Sequence, residues 1–228
     1  YGNHPELPVF VGEMPLDVHA PGCYTSQAEM KRYNRRNEQL ADAAERSAVI
    51  ADWMGAVPYP KEALNDAWKR FLWHQFHDDL TGTSIWEAYT YSWNDEFLAQ
   101  GQFCDVILAS AGAAASVMDT RAKGSPVLVY NPAAYSRRSL VEATVDLPAE
   151  AEGVAVYAPD GKTVPAQIVA RDGARATVLF AAAMEPVSYA VYDVRAGKAG
   201  KGKVLRASGN TLENRVYKVT LDANGDIA

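Results

Sequence analysis

Two different hydrophobic periods meet at Gly124-Ser125-Pro126 in this 228-residue chain. Before that point apolar residues recur every three or four positions, the spacing of a helix with one buried face. After it they alternate, the spacing of a strand with one buried face. One layer of one element type cannot satisfy both. The expected fold class is therefore α+β and multidomain: an antiparallel three-helix bundle followed by a small antiparallel β-sandwich-like domain.

Residues 1–25 carry Pro5, Pro8, Pro15 and Pro21 without periodicity and read as an extended lead-in. Ser26-Gln27-Ala28-Glu29 has the form of a capping box, and Met30, Tyr33, Leu40, Ala44 and Ala48 then hold one apolar face, interrupted by Asn37. Asp42 and Arg46 are spaced to pair on its surface. Gly55 and Pro58 end this helix near Met54. A second helix starts about Pro60, with Leu64, Ala67, Trp68, Phe71, Leu72 and Gln75 as its stripe. At about 100° per residue, His77, thirteen residues beyond Leu64, falls off that stripe and need not be a core histidine. Gly82 marks a turn. Ser84-Ile85-Trp86-Glu87 is a second capping box, opening a helix of roughly thirty residues. Its expected stripe is Ile85, Tyr89, Trp93, Phe97, Cys104, Ile107, Leu108, Ala111 and Ala115.

Beyond Pro126 the expected strands are Val127–Tyr130, Leu140–Leu147, Val154–Tyr157, Ala166–Ala170, Ala174–Phe180 and Val187–Val194. Asn131-Pro132, Pro159-Asp160-Gly161 and Asp172-Gly173 punctuate them. Gly197 to Gly209 reads as a Gly/Lys linker, and Asn214–Thr220 as a further strand. Asn224-Gly225 is a hairpin turn whose second strand is expected beyond Ala228. The expected division is a lead-in over 1–25, a helical bundle over 26–120, a small β domain over 125–196, and over 197–228 a linker with the first strand of a further β domain.

A net charge of −6 argues against a nucleic-acid partner, since phosphate binding needs a positive field. Lys31, Arg32, Arg35 and Arg36 are the one basic cluster and read as the solvated face of a helix. No run of about 18 apolar residues is present, so no membrane span is expected. Cys23 and Cys104 form no CxxC site or disulfide framework, and Cys104 reads as a small core residue. The compartment is left undecided. The chain starts at Tyr1 without a signal-peptide pattern, and both its ends read as those of a piece of something longer.

The densest chemistry lies in His74-Gln75-Phe76-His77-Asp78-Asp79-Leu80-Thr81-Gly82-Thr83-Ser84. His77 can be a metal ligand with Asp78 a substrate-binding carboxylate beside it. His74 and His77, three apart, can instead form a bidentate pair, although the HExxH pattern is absent. In a third reading the Asp and Thr residues only cap and turn the chain between helices. Asp78 and Asp79 are adjacent, which suits them poorly as a glycosidase acid and base. No Ser-His-Asp signature, P-loop or GxGxxG is found.

His77-Asp78-Asp79-Leu80-Thr81-Gly82-Thr83, preceded by Gln75-Phe76, resembles the His-Asp-x-x-x-Gly-[Ser/Thr] motif of family 38 glycoside hydrolases, the retaining α-mannosidases. Gly22-Cys23-Tyr24-Thr25-Ser26, followed by Lys31-Arg32 and Asn34-Arg35-Arg36, resembles the family's Gly-x-Tyr-Thr-Ser helix entry. Val129-Tyr130-Asn131-Pro132 resembles the strand opening its small β domain. Leu212-Glu213-Asn214 and Tyr217-Lys218-Val219 resemble the start of its large C-terminal β domain. One departure is Ala20, which stands where many bacterial relatives have a histidine, with His19 shifted by one.

The resemblance implies a metal-dependent α-mannosidase acting on terminal α-mannosides, with residues 26–120 as its middle domain. His77 matches the histidine that completes the metal site, usually zinc, and Asp78 the aspartate that contacts mannose hydroxyls in the −1 subsite. The metal then binds O2 and O3 of the sugar and helps distort the ring toward an oxocarbenium-like transition state. The other ligands, the nucleophile and the acid/base carboxylate are expected on an N-terminal α/β barrel with no match here, so no catalytic residue is expected in this chain. Mannose-containing oligosaccharides or glycans are the implied partners, and a homo-oligomer is left open. The alternative is a non-catalytic interaction module in which the His-Asp turn is purely structural.

Overall fold

A computed structural model describes residue 11, residues 21–198 and residues 206–228. Most of the expected lead-in, the Ala20 and His19 positions, and part of the expected linker lie outside the described residues. The chain divides into two units: Tyr1–Asp52 with Pro58–Ser110, and Trp53–Val57 with Ala111–Ala228.

Three helices make the first unit: α1 (Ala28–Trp53), α2 (Lys61–Trp73) and α3 (Ala88–Val117), the last contributing residues up to Ser110. Ala41, Ala44 and Ala48 of α1 pack with Leu64, Ala67 and Phe71 of α2 and with Ala99, Phe103 and Val106 of α3. Alanines on α1 let the backbones approach closely, and Phe71 and Phe103 fill the space between them. Trp68 lies against both rings, with centroids at 5.8 Å, and its indole N–H donates to Glu45 at 2.7 Å. Asp42 and Arg46 pair at 2.9 Å.

The stripe of α3 is displaced from the expected one. Phe97 and Leu108 are exposed, whereas Tyr89, Ser92, Glu96, Ala99, Phe103, Val106, Ser110 and Ala114 are buried. Polar residues hold part of the buried face, which an apolar periodicity cannot register. Cys104 is half-buried and free. In α2, Leu72 is exposed and the helix stops at Trp73, so Gln75 is not part of a buried stripe.

Neither capping box forms. The Ser26 hydroxyl donates to Gly82 O at 3.1 Å instead of to its own helix, and α1 begins at Ala28. The Ser84 hydroxyl donates to Asp78 O at 3.1 Å, and α3 begins only at Ala88. Both serines are spent on long-range or turn contacts. Lys31 also leaves the solvated face expected for the basic cluster: its ammonium donates to Ser26 O at 2.5 Å and to Leu80 O at 2.9 Å. Arg32 and Arg35 stay exposed and pair with Glu29 and Glu38.

The second unit is antiparallel throughout its paired strands. One sheet has the order β1-β7-β3-β4, from Ser125–Asn131, Ser188–Ala196, Val154–Tyr157 and Thr163–Val164. Another has the order β2-β6-β5, from Arg137–Asp146, Arg175–Met184 and Ala166–Asp172. Alternate residues of β6 (Ala176, Val178, Phe180, Ala182, Met184) share one core with Val154 and Val156 of β3 and with Tyr192 and Val194 of β7. The Tyr192 hydroxyl donates to Ala183 O at 2.8 Å and accepts from Ala183 N–H at 2.9 Å. Buried Asn131 ends β1, its amide donating to Tyr135 O and Glu185 O while its carbonyl accepts from Ala133 N–H. That is the chain reversal expected at Asn131-Pro132.

A third sheet, β10-β9-β8, joins Lys218–Thr220, Thr211–Glu213 and Arg206–Ser208. Its strand β8 lies within the stretch read as linker. Asn214 opens a turn rather than a strand, its side-chain oxygen accepting from the N–H groups of Val216 and Tyr217. The Asn224-Gly225 turn closes inside the chain, through a bridge between Leu221 and Ile227, rather than with a strand beyond Ala228.

Candidate functional site

Helix α2 does not run on to His77. From His74 onward successive N–H groups bond three residues back, His74 to Phe71, Gln75 to Leu72, Phe76 to Trp73 and Asp79 to Phe76. The expected helical phase of His77 therefore does not apply, and tight turns set its direction instead. Gly82, at φ +83°, closes this series, and a Cβ there would lie 2.6 Å from Ser26 O. Only glycine combines that conformation with so close a backbone neighbour.

The turn is held by its own carbonyls. Asp78 O accepts from Thr83 N–H at 3.1 Å, Ser84 N–H at 2.9 Å, the Ser84 hydroxyl at 3.1 Å and the Tyr89 hydroxyl at 3.2 Å. Leu80 O and Gly82 O take Lys31 and Ser26 of the α1 end. The Thr81 hydroxyl donates to His77 O. With its backbone so tied down, the segment presents its side chains from a rigid mount.

His77 and Asp78 point outward together. Their side chains are 78% and 50% exposed, and His77 Nε2 lies 3.5 Å from Asp78 Oδ2. The His77 ring leans on Phe76, centroids at 4.2 Å. Asp78 Oδ1 accepts from the Thr83 hydroxyl at 3.2 Å. An imidazole nitrogen and a carboxylate side by side are the donor types a zinc-like ion takes. Among the described residues no group of three or more His, Cys, Asp or Glu side chains could hold a metal ion. The two residues fit as a contribution to a site, and do not compose one.

His74 and Asp79 point inward. His74 Nδ1 lies 2.5 Å from Asp79 Oδ2, and Nε2 lies 3.3 Å from Asp95 Oδ2. Asp79 Oδ1 accepts from the Ser92 hydroxyl at 2.9 Å, and Asp95 Oδ1 from Arg70 at 3.0 Å. Both ring nitrogens of His74 are engaged, so the bidentate His74–His77 pair is not formed. Asp79 is likewise occupied, which removes it as a free acid or base. Spacing in the sequence offers His74 only as a partner for His77, and no local pattern marks Ser92 or Asp95, which α3 brings to it.

Trp73, Phe76 and Tyr91 stand over this network and, with His74, Asp79 and Asp95, line a cleft of about 470 Å3. Deeper in the unit, the Asn37 amide donates to Glu96 O at 3.1 Å and to the Glu96 carboxylate. Burial pushes the Glu96 carboxyl up to about 7, against the lowering effects of Asn37 and His74.

Residues 19–111 match the family described as alpha mannosidase middle domain. An alpha-mannosidase of Saccharomyces cerevisiae is 37% identical over 91 residues, 38% of this chain and 8% of that protein. Alpha-mannosidase 2C1 of Mus musculus is 37% identical over 81 residues, 35% of this chain and 8% of that protein. The chain thus matches about 8% of the length of the curated relatives. The solved structure of an alpha-mannosidase from Enterococcus faecalis V583 superposes with a TM-score of 0.71 over 91% of this chain and 28% of that chain, at 21% identity. A glycosyl hydrolase family 38 protein from Enterococcus faecalis gives 0.71 over 91% and 29% at the same identity. The fold is shared with both, and the resemblance read from the His77 motif and its flanks is borne out.

Proposed function

We propose, from the match of residues 19–111 to the alpha mannosidase middle domain, that this chain is part of a metal-dependent retaining α-mannosidase hydrolysing terminal α-mannosides. The observation that carries the reading is the outward pairing of His77 Nε2 with Asp78 Oδ2 at 3.5 Å on a turn whose backbone is fixed by Ser84, Tyr89, Ser26 and Lys31.

In this reading His77 offers a ring nitrogen to a divalent metal, zinc by resemblance, whose remaining ligands come from a further domain. When bound, such an ion polarises the sugar hydroxyls it contacts. Asp78 accepts hydrogen bonds from hydroxyls of the mannose in the −1 subsite, and its tether to Thr83 holds the carboxylate in place. A retaining mechanism needs two carboxylates about 5–5.5 Å apart. Asp79 is engaged by His74 and Ser92, so it supplies neither of them. The nucleophile and the acid/base residue belong to the same further domain, and mannose-containing oligosaccharides or glycans are the substrates.

The helices are taken as an antiparallel three-helix bundle spanning 26–120 and the two larger sheets as a small β-sandwich spanning 125–196, with 197–228 opening a further β domain. Oligomerisation is left to experiment. The alternative is a purely structural His-Asp turn in a non-catalytic module; burial of His77 inside the helices would have favoured it, and the His77 side chain is 78% exposed. The test is His77→Ala in the full-length protein. Metal content and mannosidase turnover fall while the helical content is kept. Retained metal at wild-type turnover refutes the assignment.

A further inference from the structure

The charged network beneath the turn has no role in the reading above. His74 and Asp79 are 5% and 8% exposed, and with Asp95, Arg70 and Ser92 they form one chain of polar contacts. It joins the last turn of α2, the residue after it, the turn itself and the first half of α3. A buried polar network adds little net stability, because desolvation offsets most of the attraction, but when its members are satisfied it rigidifies the elements it joins. Both nitrogens of His74 face carboxylate oxygens, Nδ1 that of Asp79 and Nε2 that of Asp95, so the ring is fixed from both sides. An aliphatic side chain would fill the same space without orienting Asp79. Asp79 is the residue next to Asp78 and two from His77. Its side chain is held from the α2 and α3 side, while Asp78 O is held by Ser84 and Tyr89.

We propose that His74 is a positioning residue: through Asp79 it locks the turn so that His77 and Asp78 are presented in one fixed arrangement to metal and sugar. The role rests on the reading of His77 as a metal ligand. Partners outside the ligand shell that orient ligands typically change metal affinity or activity by about 10–100-fold when removed.

The experiment compares zinc dissociation constants, by chelator competition, and kcat in full-length protein carrying His74→Ala, His74→Gln or His77→Ala, at a temperature where each is folded. The expected result is a zinc Kd raised about tenfold or more and a lowered kcat in His74→Ala, with partial recovery in His74→Gln, whose amide can still donate to Asp79. Unchanged zinc Kd and kcat in folded His74→Ala overturns the proposal. If His74→Ala does not fold, Ser92→Ala, which removes one bond to Asp79, must weaken zinc in the same direction, and unchanged affinity there overturns it. Loss of zinc in His77→Ala with wild-type affinity in the His74 variants overturns the positioning role alone. Wild-type affinity in all variants overturns the reading it rests on.

Discussion

His74 Nδ1 lies 2.5 Å from Asp79 Oδ2, five residues on, at the point where α2 gives way to the turn bearing His77 and Asp78. Neighbouring residues on one segment thus face opposite ways. His74 and Asp79 anchor the turn from within, and the side chains of His77 and Asp78 are exposed.

Replacing Gly82 should loosen that anchor. Gly82→Ala puts a Cβ 2.6 Å from Ser26 O at a φ of +83°. A loss of about 1–3 kcal/mol in unfolding free energy is expected by urea denaturation, since both strain and displacement of the α1 end contribute.

Asp78→Asn separates function from folding. The exposed Asp78 side chain is tied weakly, to Thr83 at 3.2 Å and to His77 at 3.5 Å, so stability should change by less than about 1 kcal/mol. In the full-length protein kcat/KM for an α-mannoside should fall about 10- to 100-fold, the cost of weakening hydrogen bonds to a charged acceptor.

Glu96 predicts a pH dependence of stability. Its ordinary carboxyl value of 4.5 is raised to about 7 in the folded chain, chiefly by burial. The folded state therefore keeps a proton that the unfolded state releases. Stability is full below about pH 4.5 and falls as pH rises to about 7, by roughly 3 kcal/mol. Glu96→Gln should flatten that slope in chemical denaturation measured across the same pH window.

In the β unit, Tyr192→Phe removes a hydroxyl that satisfies both the N–H and the carbonyl of Ala183. Two backbone groups lose their partner with almost no change in volume. The unit should lose about 1–3 kcal/mol by thermal unfolding, while metal affinity in the full-length protein stays at wild type.

Much of this architecture is legible from periodicity alone. The change at Gly124-Ser125-Pro126 separates helices from strands, and β3 (Val154–Tyr157) falls where alternation puts it. The stripe of α3 was not legible, because Ser92, Glu96 and Ser110 occupy buried positions that an apolar count skips. The serine caps failed for a related reason: Ser26 and Ser84 match a local pattern, yet each finds a partner outside its own helix. His77 and Asp78 stood out as a dense polar motif. His74 did not stand apart from them, since its partnership with Asp95 spans 21 residues and exists only once α2 and α3 are packed together.

On the proposed function, His77 contributes a nitrogen to a metal site completed by a further domain. The most direct measurement is a structure of the full-length protein with zinc located by anomalous scattering. The expected result is a zinc ion about 2.0–2.1 Å from a ring nitrogen of His77, with the Asp78 carboxylate facing the sugar-binding cavity beside it. A zinc ion fully coordinated without His77, with the His77 ring remaining in solvent, would contradict it.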